Sequence, residues 1–215
     1  MINIKFLAGH PMTSKNILPA TCLLVLVFIS ACAALQVGQD VQAGRNALQT
    51  GRPGDAVSHL VRATERDPNY VILYRFRASA LSYLGRAYYE TGRDKEARAT
   101  LEKALLRDKD DYLAHLYLGL TLLRAGDRDR GVNALQVGLK GLHAWLEYIA
   151  ADGQSGLYWD PAGQIRGDII RAMALKPDSP ELVGLAQRIG SQIDEEIDRA
   201  RRDEALTRYG RGESS

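Results

Sequence analysis

The sequence predicts an all-α protein in which antiparallel helix pairs stack side by side into an α-solenoid. A small position, an apolar residue four positions later and a small residue three further on recur four times. The last three copies begin 34 residues apart, a period typical of helical repeat proteins. Glycines that can end a helix recur at Gly51, Gly92 and Gly126, and strand signals are lacking. The four copies are Ala56/Leu60/Ala63, Ala97/Leu101/Ala104, Gly131/Leu135/Gly138 and Ile165/Ile169/Ala172.

Residues 1–31 are predicted to be a signal peptide. Lys15 precedes an apolar run at residues 17–29, and the small residues Ser30 and Ala31 follow it, which is the pattern of an export signal. The run is shorter than the roughly 18 to 20 apolar residues that a membrane-spanning helix needs. Met12 offers an alternative to Met1 as the start of translation.

The end of this segment, Ile29-Ser30-Ala31-Cys32, resembles the lipobox of bacterial lipoproteins. The resemblance implies that Cys32 becomes the first mature residue and is acylated, with residues 32–36 as a short tether; several acyl chains anchor a protein stably. Position 33 holds Ala and lacks the Asp that marks inner-membrane retention in that class. In a cell with two membranes, the periplasmic face of the outer membrane is therefore the expected location. The alternatives are an ordinary secretory signal with an incidental cysteine and an uncleaved anchor.

Composition narrows the possible partners of the mature chain. Lys5 and Lys15 are the only charged residues of the predicted signal, so the mature chain has 26 basic and 26 acidic residues. This balance gives no basic footprint for nucleic acid. Cys22 lies in the signal and Cys32 is the predicted lipid site, so we expect neither a disulfide nor a cysteine-based metal site.

The repeated segments resemble tetratricopeptide repeats, whose consensus is W-x2-L-G-x2-Y, then A-x3-F and a later Pro. The best copy reads Leu81-x2-Leu84-Gly85-x2-Tyr88, then Ala97-x3-Leu101-x2-Ala104. The resemblance implies one helical hairpin per repeat, and each hairpin buries its apolar face only by stacking on its neighbours. The predicted repeats span residues 37–70, 78–111 and 112–145, with a degenerate fourth at 146–178.

Two departures from the repeat predict irregular features. The first spacing is 41 residues instead of 34, and the seven added residues lie at 70–77. We therefore expect residues 69–90 to form one long helix that protrudes from the stack. In the fourth unit, residues 146–151 can continue the preceding helix, residues 152–156 break it, and a loop leads to a helix at 162–175.

A long helix is predicted at residues 179–209, followed by a disordered tail at 210–215. Apolar residues three and four positions apart define one stripe, and the other face carries charged residues that include Asp194 and Asp198. We expect this helix to cap the last repeat with a solvated face, or alternatively to form a homodimer. The stripe consists of Leu182, Leu185, Ile189, Ile193 and Ile197.

The resemblance implies a concave groove that is lined by the first helix of each repeat and holds a segment of a partner protein. The positions that commonly face this groove hold Arg45, Arg86, Tyr89, Glu90 and Arg124. Arginines among apolar side chains can grip a carboxylate; the alternative is that they are ordinary exposed arginines. The Lys/Asn set of the family's carboxylate-clamp version is missing.

The loop of the fourth unit offers a second candidate site at Tyr158 and Trp159. Exposed aromatic residues in a loop are typical of binding hot spots. The alternative is that Trp159 covers the open side of the broken repeat.

No set of residues typical of an enzyme is found. His59, His115 and His143 each lie alone on predicted helices, and the chain lacks a P-loop, a G-x-S-x-G and an H-E-x-x-H motif. We therefore expect no catalysis, no cofactor and no metal. An enzymatic alternative would use His143, Glu147, Asp152 and Asp160.

Taken together, these features predict a lipid-anchored scaffold or adaptor that binds other envelope proteins through the groove. The alternative is a carrier of an apolar small molecule or lipid, in a cavity around the broken fourth repeat. That cavity would be lined by Trp145, Tyr148, Tyr158 and Trp159.

Overall fold

The computed structural model describes residues 35–212 except 154, 155 and 178. The predicted signal peptide, Cys32 and residues 213–215 lie outside the described residues. Within them the chain forms eight helices and one two-stranded hairpin. The elements are α1 (35–49), α2 (Pro53–Arg66), β1 (Val71–Tyr74), β2 (Phe76–Ser79), α3 (Ala80–Glu90), α4 (Asp94–Arg107), α5 (Tyr112–Arg124), α6 (Arg128–Ala151), α7 (Gln164–Ala174) and α8 (Pro180–Gly212).

The predicted all-α repeat fold is confirmed, because successive helices pack against one another from α2 to α6. The three predicted turn glycines follow α1, α3 and α5. Gly51, Gly92 and Gly126 have φ angles of 70°, 75° and 83°, a left-handed conformation that glycine adopts without steric cost. Each of these turns therefore ends the first helix of a pair and lets the chain return along the second.

The repeat consensus residues form the core between paired helices. Leu60, Leu101 and Leu135 are fully buried. Each lies against a glycine of the partner helix: a Cβ atom built on Gly85 would lie 2.4 Å from Cγ of Leu101, and one on Gly119 would lie 2.6 Å from the backbone nitrogen of Leu135. The small residues of the consensus are therefore required because the helices approach too closely for any side chain.

We expect Gly119→Ala to destabilise the protein by about 1–3 kcal/mol, because its methyl group would meet backbone atoms of α6 that cannot move independently. Urea unfolding followed by circular dichroism measures this loss. Gly167→Ala on α7 is the control, because no atom lies within 4 Å of the added Cβ. That variant is expected to gain about 0.5–1 kcal/mol from helix propensity. Equal stability of the two variants would contradict the close packing at Gly119.

The prediction of one long helix at residues 69–90 is wrong, as is the expectation that no strand is present. Val71–Tyr74 and Phe76–Ser79 form an antiparallel pair with Val71 opposite Ser79, and α3 begins only at Ala80. The run Val-Ile-Leu-Tyr is rich in residues that favour strands, and Arg75 turns the chain with a φ of 49°. The added residues at 70–77 therefore form most of a hairpin.

Asp111 fixes the end of this hairpin to the following repeat. Its Oδ1 accepts a hydrogen bond from the backbone N–H of Ala114 at 3.0 Å, which caps α5. Its Oδ2 accepts from the backbone N–H of Ser79 at 3.1 Å and from the Ser82 hydroxyl. Burial raises the pKa of Asp111 above its ordinary value, although these donors oppose the shift.

The fourth unit has the predicted irregular form. Helix α6 continues to Ala151, and the loop that follows leads to α7. Asp160 organises the loop, because its carboxylate accepts hydrogen bonds from the backbone N–H groups of Ile165 at 3.0 Å and Arg166 at 3.1 Å. These bonds satisfy donors in the first turn of α7.

The C-terminal helix α8 extends to Gly212. The predicted disorder is therefore wrong for residues 210–212. Of the helices that the structure describes, none combines the length and apolar character that crossing a membrane requires.

Candidate functional site

The first helices of the three clear repeats share a face that α8 covers. We call this the inner face and define it by Arg45 of α1, Tyr83, Arg86 and Tyr89 of α3, and Tyr117 of α5. Each of these residues is at most 2% exposed to solvent. Three of the predicted groove residues, Arg45, Arg86 and Tyr89, therefore lie in the interior and form hydrogen bonds with the chain's own C-terminal helix.

Asp194 of α8 lies at the centre of the inner face and is itself 1% exposed. Its Oδ1 atom lies 2.6 Å from Nη2 of Arg45 and 2.8 Å from Nε of the same side chain. The Tyr83 hydroxyl donates to Oδ1 at 3.1 Å, and Oδ2 lies 3.6 Å from Nη1 of Arg86. One buried carboxylate is thus held by two guanidinium groups and a phenol.

The charges at this site stabilise one another. Burial alone would lower the pKa of Arg45, but nearby Tyr83, Asp194 and Asp198 raise it above its ordinary value. Burial and the Asp194 carboxylate raise the pKa of Tyr83, so its hydroxyl stays protonated and remains a donor. Asp198, one helical turn after Asp194, adds a contact of 3.1 Å between its Oδ1 and Nη1 of Arg45.

The remaining predicted groove residues surround Arg86 and Tyr89. Glu90 accepts a hydrogen bond from Nε of Arg86 at 2.6 Å. The Tyr89 hydroxyl accepts from Nε2 of Gln187 in α8 at 2.7 Å. The Arg124 guanidinium lies 3.6 Å from the centroid of the Tyr89 ring and donates to the Tyr89 carbonyl at 2.7 Å. The structure therefore brings Arg86, Tyr89, Glu90 and Arg124 together, with Arg124 at the solvent-exposed edge.

Helix α8 fits closely against the inner face. A Cβ atom on Gly190 would lie 2.5 Å from the Tyr117 hydroxyl oxygen. The predicted apolar stripe, including Ile189, Ile193 and Ile197, is buried within the chain. The stripe is therefore buried within the chain and is not available as the surface of a homodimer. The expectation that the charged face of this helix is solvated is wrong for Asp194, which is buried.

A cavity of about 250 Å³ remains between α8 and the inner face. It adjoins Arg86, whose Nη1 has no hydrogen-bond partner among the described residues. On the side of α8 the cavity is lined by Gln187 and Ser191, whose side chains leave part of the inner face uncovered. Its lining consists of Leu48, Arg86, Tyr89, Glu90, Tyr117, Gln187 and Ser191.

The second candidate site is mostly buried. Trp159 has no exposed surface, and its ring centroid lies 5.0 Å from that of Trp145 in an edge-to-face arrangement. Trp145 in turn lies 4.7 Å from the ring of Phe76, and its Nε1 donates to the Arg75 carbonyl at 2.9 Å. Tyr158 is half-buried. This arrangement favours the alternative in which Trp159 covers the broken repeat.

The four aromatic residues named for the carrier alternative lie in different environments. Trp145 and Trp159 fill the space that the carrier alternative requires, and Tyr148 points away with 80% exposure. A pocket of about 630 Å³ lies nearby, and nine of its twelve lining residues have charged or amide side chains. The lining residues are Gln49, Asp160, Pro161, Ala162, Gln164, Ile165, Gln192, Glu195, Glu196, Asp198, Arg199 and Arg202.

The three carboxylates of the enzymatic alternative have structural contacts, whereas Nε2 of His143 has no hydrogen-bond partner among the described residues. Glu147 lies 3.3 Å from Arg166, and Asp152 lies 3.5 Å from Arg75. Asp160 caps α7 as described above. In the described part of the chain, no group of three or more His, Cys, Asp or Glu side chains is arranged to hold a metal ion.

Sequence reasoning missed Tyr83, Tyr117 and Asp194. The two tyrosines occupy the same position of consecutive repeats, 34 residues apart, and this repetition is a signal that could have identified them. Asp194 carried no comparable signal, because its neighbours in sequence are charged residues typical of an exposed helix face.

Comparison with known families supports the repeat interpretation. The tetratricopeptide repeat family matches residues 47–117, about a third of the chain. This segment runs from the end of α1 into α5 and contains two of the turn glycines, Gly51 and Gly92. No curated protein matches the chain. The match and the helical hairpins that it covers support the assignment of residues 47–117 to the tetratricopeptide repeats.

Proposed function

We propose that this protein is a lipid-anchored scaffold that binds other proteins of the bacterial cell envelope. Tetratricopeptide repeats generally mediate protein–protein binding, and residues 47–117 match that family. The observation that carries the proposal is the inner face, which holds a helix through arginine and tyrosine side chains. These residue types dominate the energetics of protein interfaces.

The edge of the inner face is the part that a partner reaches first. Arg124 and Glu90 are partly exposed there, with side-chain exposures of 37% and 26%. Glu90 lines the cavity beside Arg86 and Tyr89, and Arg124 packs on the Tyr89 ring. A partner that contacts this edge meets one cation and one anion, so it can be selected by charge as well as by shape.

A photo-crosslinking residue at position 90 in the full chain tests this proposal in intact cells. We expect a reproducible adduct to an envelope protein, which mass spectrometry then identifies. The matched control places the same group at Arg98 of α4, which is 41% exposed but does not line the cavity. If position 90 yields only the products that position 98 yields, the proposed binding surface is wrong.

The membrane anchor is proposed from the lipobox resemblance at Cys32. Two or more acyl chains would hold the repeats at a membrane surface without a spanning helix. Intact mass spectrometry of the protein extracted from membranes should find an acylated N-terminal Cys32, and a Cys32→Ala variant should lose the added mass. An unmodified N-terminus would remove the anchor from the proposal and leave the binding surface untouched.

A further inference from the structure

The contact between α8 and the inner face has the chemistry of a ligand in its binding site. Its centre is the carboxylate of Asp194, which is held by Arg45 and Tyr83 in charge-assisted hydrogen bonds. Asp198, one turn later, contacts Arg45 and also accepts a hydrogen bond from Nε2 of Gln49 at 2.9 Å. These carboxylates four residues apart lie beside the buried isoleucine stripe. The inner face therefore matches one class of segment, an acidic amphipathic helix.

Helix α8 leaves part of this site unused. The cavity of about 250 Å³ adjoins Ser191, whose short side chain accepts a hydrogen bond from Nη2 of Arg86 at 3.3 Å. The Arg86 side chain is 98% buried, and its Nη1 lies 3.6 Å from Oδ2 of Asp194, which is too far for a hydrogen bond; neither atom has a hydrogen-bond partner among the described residues. A buried donor without an acceptor weakens a complex. A helix with a longer acceptor side chain at the position of Ser191 would fill more of the cavity and give the Arg86 guanidinium a closer acceptor than Ser191 does.

The way in which α8 is attached to the chain is compatible with its replacement by a helix of another protein. Only residues 175–179 connect α7 to α8, and Lys176 and Pro177 in this connection are exposed. Opening this connection would change few contacts of either helix. The binding energy of α8 then comes from the inner face, from α7, and from contacts of Glu196 and Arg199 with the loop before α7 and of Glu204 with Arg75 of the hairpin.

We propose that the inner face is a recognition site for acidic amphipathic helices, that α8 is its built-in occupant, and that a partner helix which also fills the cavity beside Arg86 displaces α8. This inference rests on the proposed function, because it names the class of partner that the scaffold binds. Competition between α8 and the partner makes binding depend on how well the partner's side chains match Asp194, Asp198 and the cavity.

The test uses the full chain with a protease site inserted at residues 176–177. After cleavage, a fluorescent peptide with the sequence of residues 180–212 should bind, and fluorescence anisotropy measures its affinity. A peptide with Asp194→Lys and Asp198→Lys should bind about 100-fold more weakly or worse, because it places cations against Arg45. A Ser191→Gln peptide should bind about threefold more tightly or better, because its carbonyl oxygen reaches Arg86. The uncleaved chain should bind all three peptides more weakly than the cleaved chain.

Several results would overturn the inference. If cleavage removes the helical circular dichroism signal, α8 is part of the folding core. If the cleaved chain stays folded but exchanges no peptide, or binds the charge-reversed peptide equally well, the inner face does not select acidic helices. Failure of the proposed function would look different from these results. If the cleaved chain exchanges the peptide but position 90 gives no adduct in cells, the helix-binding site stands and the proposed role as an envelope scaffold is wrong.

Discussion

Trp159→Ala is expected to cost about 3–5 kcal/mol of unfolding free energy, the range for truncating a fully buried aromatic side chain. Trp159 has no exposed surface and packs edge-to-face on Trp145, which in turn contacts Phe76. The three rings connect the loop before α7, helix α6 and the β-hairpin. Removing the last ring leaves a void among elements that are distant in sequence, so neighbouring side chains cannot close it by a small local shift.

Urea unfolding monitored by far-ultraviolet circular dichroism measures this loss. Leu157→Ala is the matched control, because Leu157 lies in the same loop with 70% exposure; its change should stay within about 0.5 kcal/mol. The chain has two tryptophans, so the fluorescence of the Trp159→Ala variant reports on Trp145 alone. A similar stability for both variants would contradict a structural role for the aromatic cluster.

The repeats were predictable because their signal is local and periodic. Leu60, Leu101 and Leu135 recur at fixed offsets from small residues, and a left-handed glycine turn requires only a glycine after a helix. Such features depend on neighbours within one or two repeats. The sequence therefore determined the helical pairs, their turns and the irregular fourth unit.

The hairpin and the position of α8 depend on distant contacts. At residues 70–77 the spacing allows either two extra helical turns or a short hairpin, and the hairpin that forms packs Phe76 on Trp145, far along the chain. Secondary-structure propensity is weak compared with such packing. Arg45 and Asp194 are 149 residues apart, so no periodic pattern could identify them as a pair, and each alone resembles an exposed charge.

Asp194→Ala is expected to cost about 3–5 kcal/mol, because it leaves Arg45 and Arg86 buried with much of their compensating charge removed. The Tyr83 hydroxyl also loses its acceptor. The control is Glu195→Ala on the same helix, where the side chain is exposed and the change should stay within about 0.5 kcal/mol. Thermal and urea unfolding of both variants measure the difference, and equal losses would contradict the central role of Asp194.

A double-mutant cycle separates the ion pair from the packing of α8. Arg45→Met leaves the buried Asp194 carboxylate without its nearest cation, and Asp194→Leu leaves the buried Arg45 with only the partly exposed Asp198. The double variant removes both charges and keeps apolar volume in their place. We therefore expect the double variant to be more stable than either single variant. Additive losses would mean that Arg45 and Asp194 contribute independently, and the carboxylate would then not be the group through which the inner face holds α8.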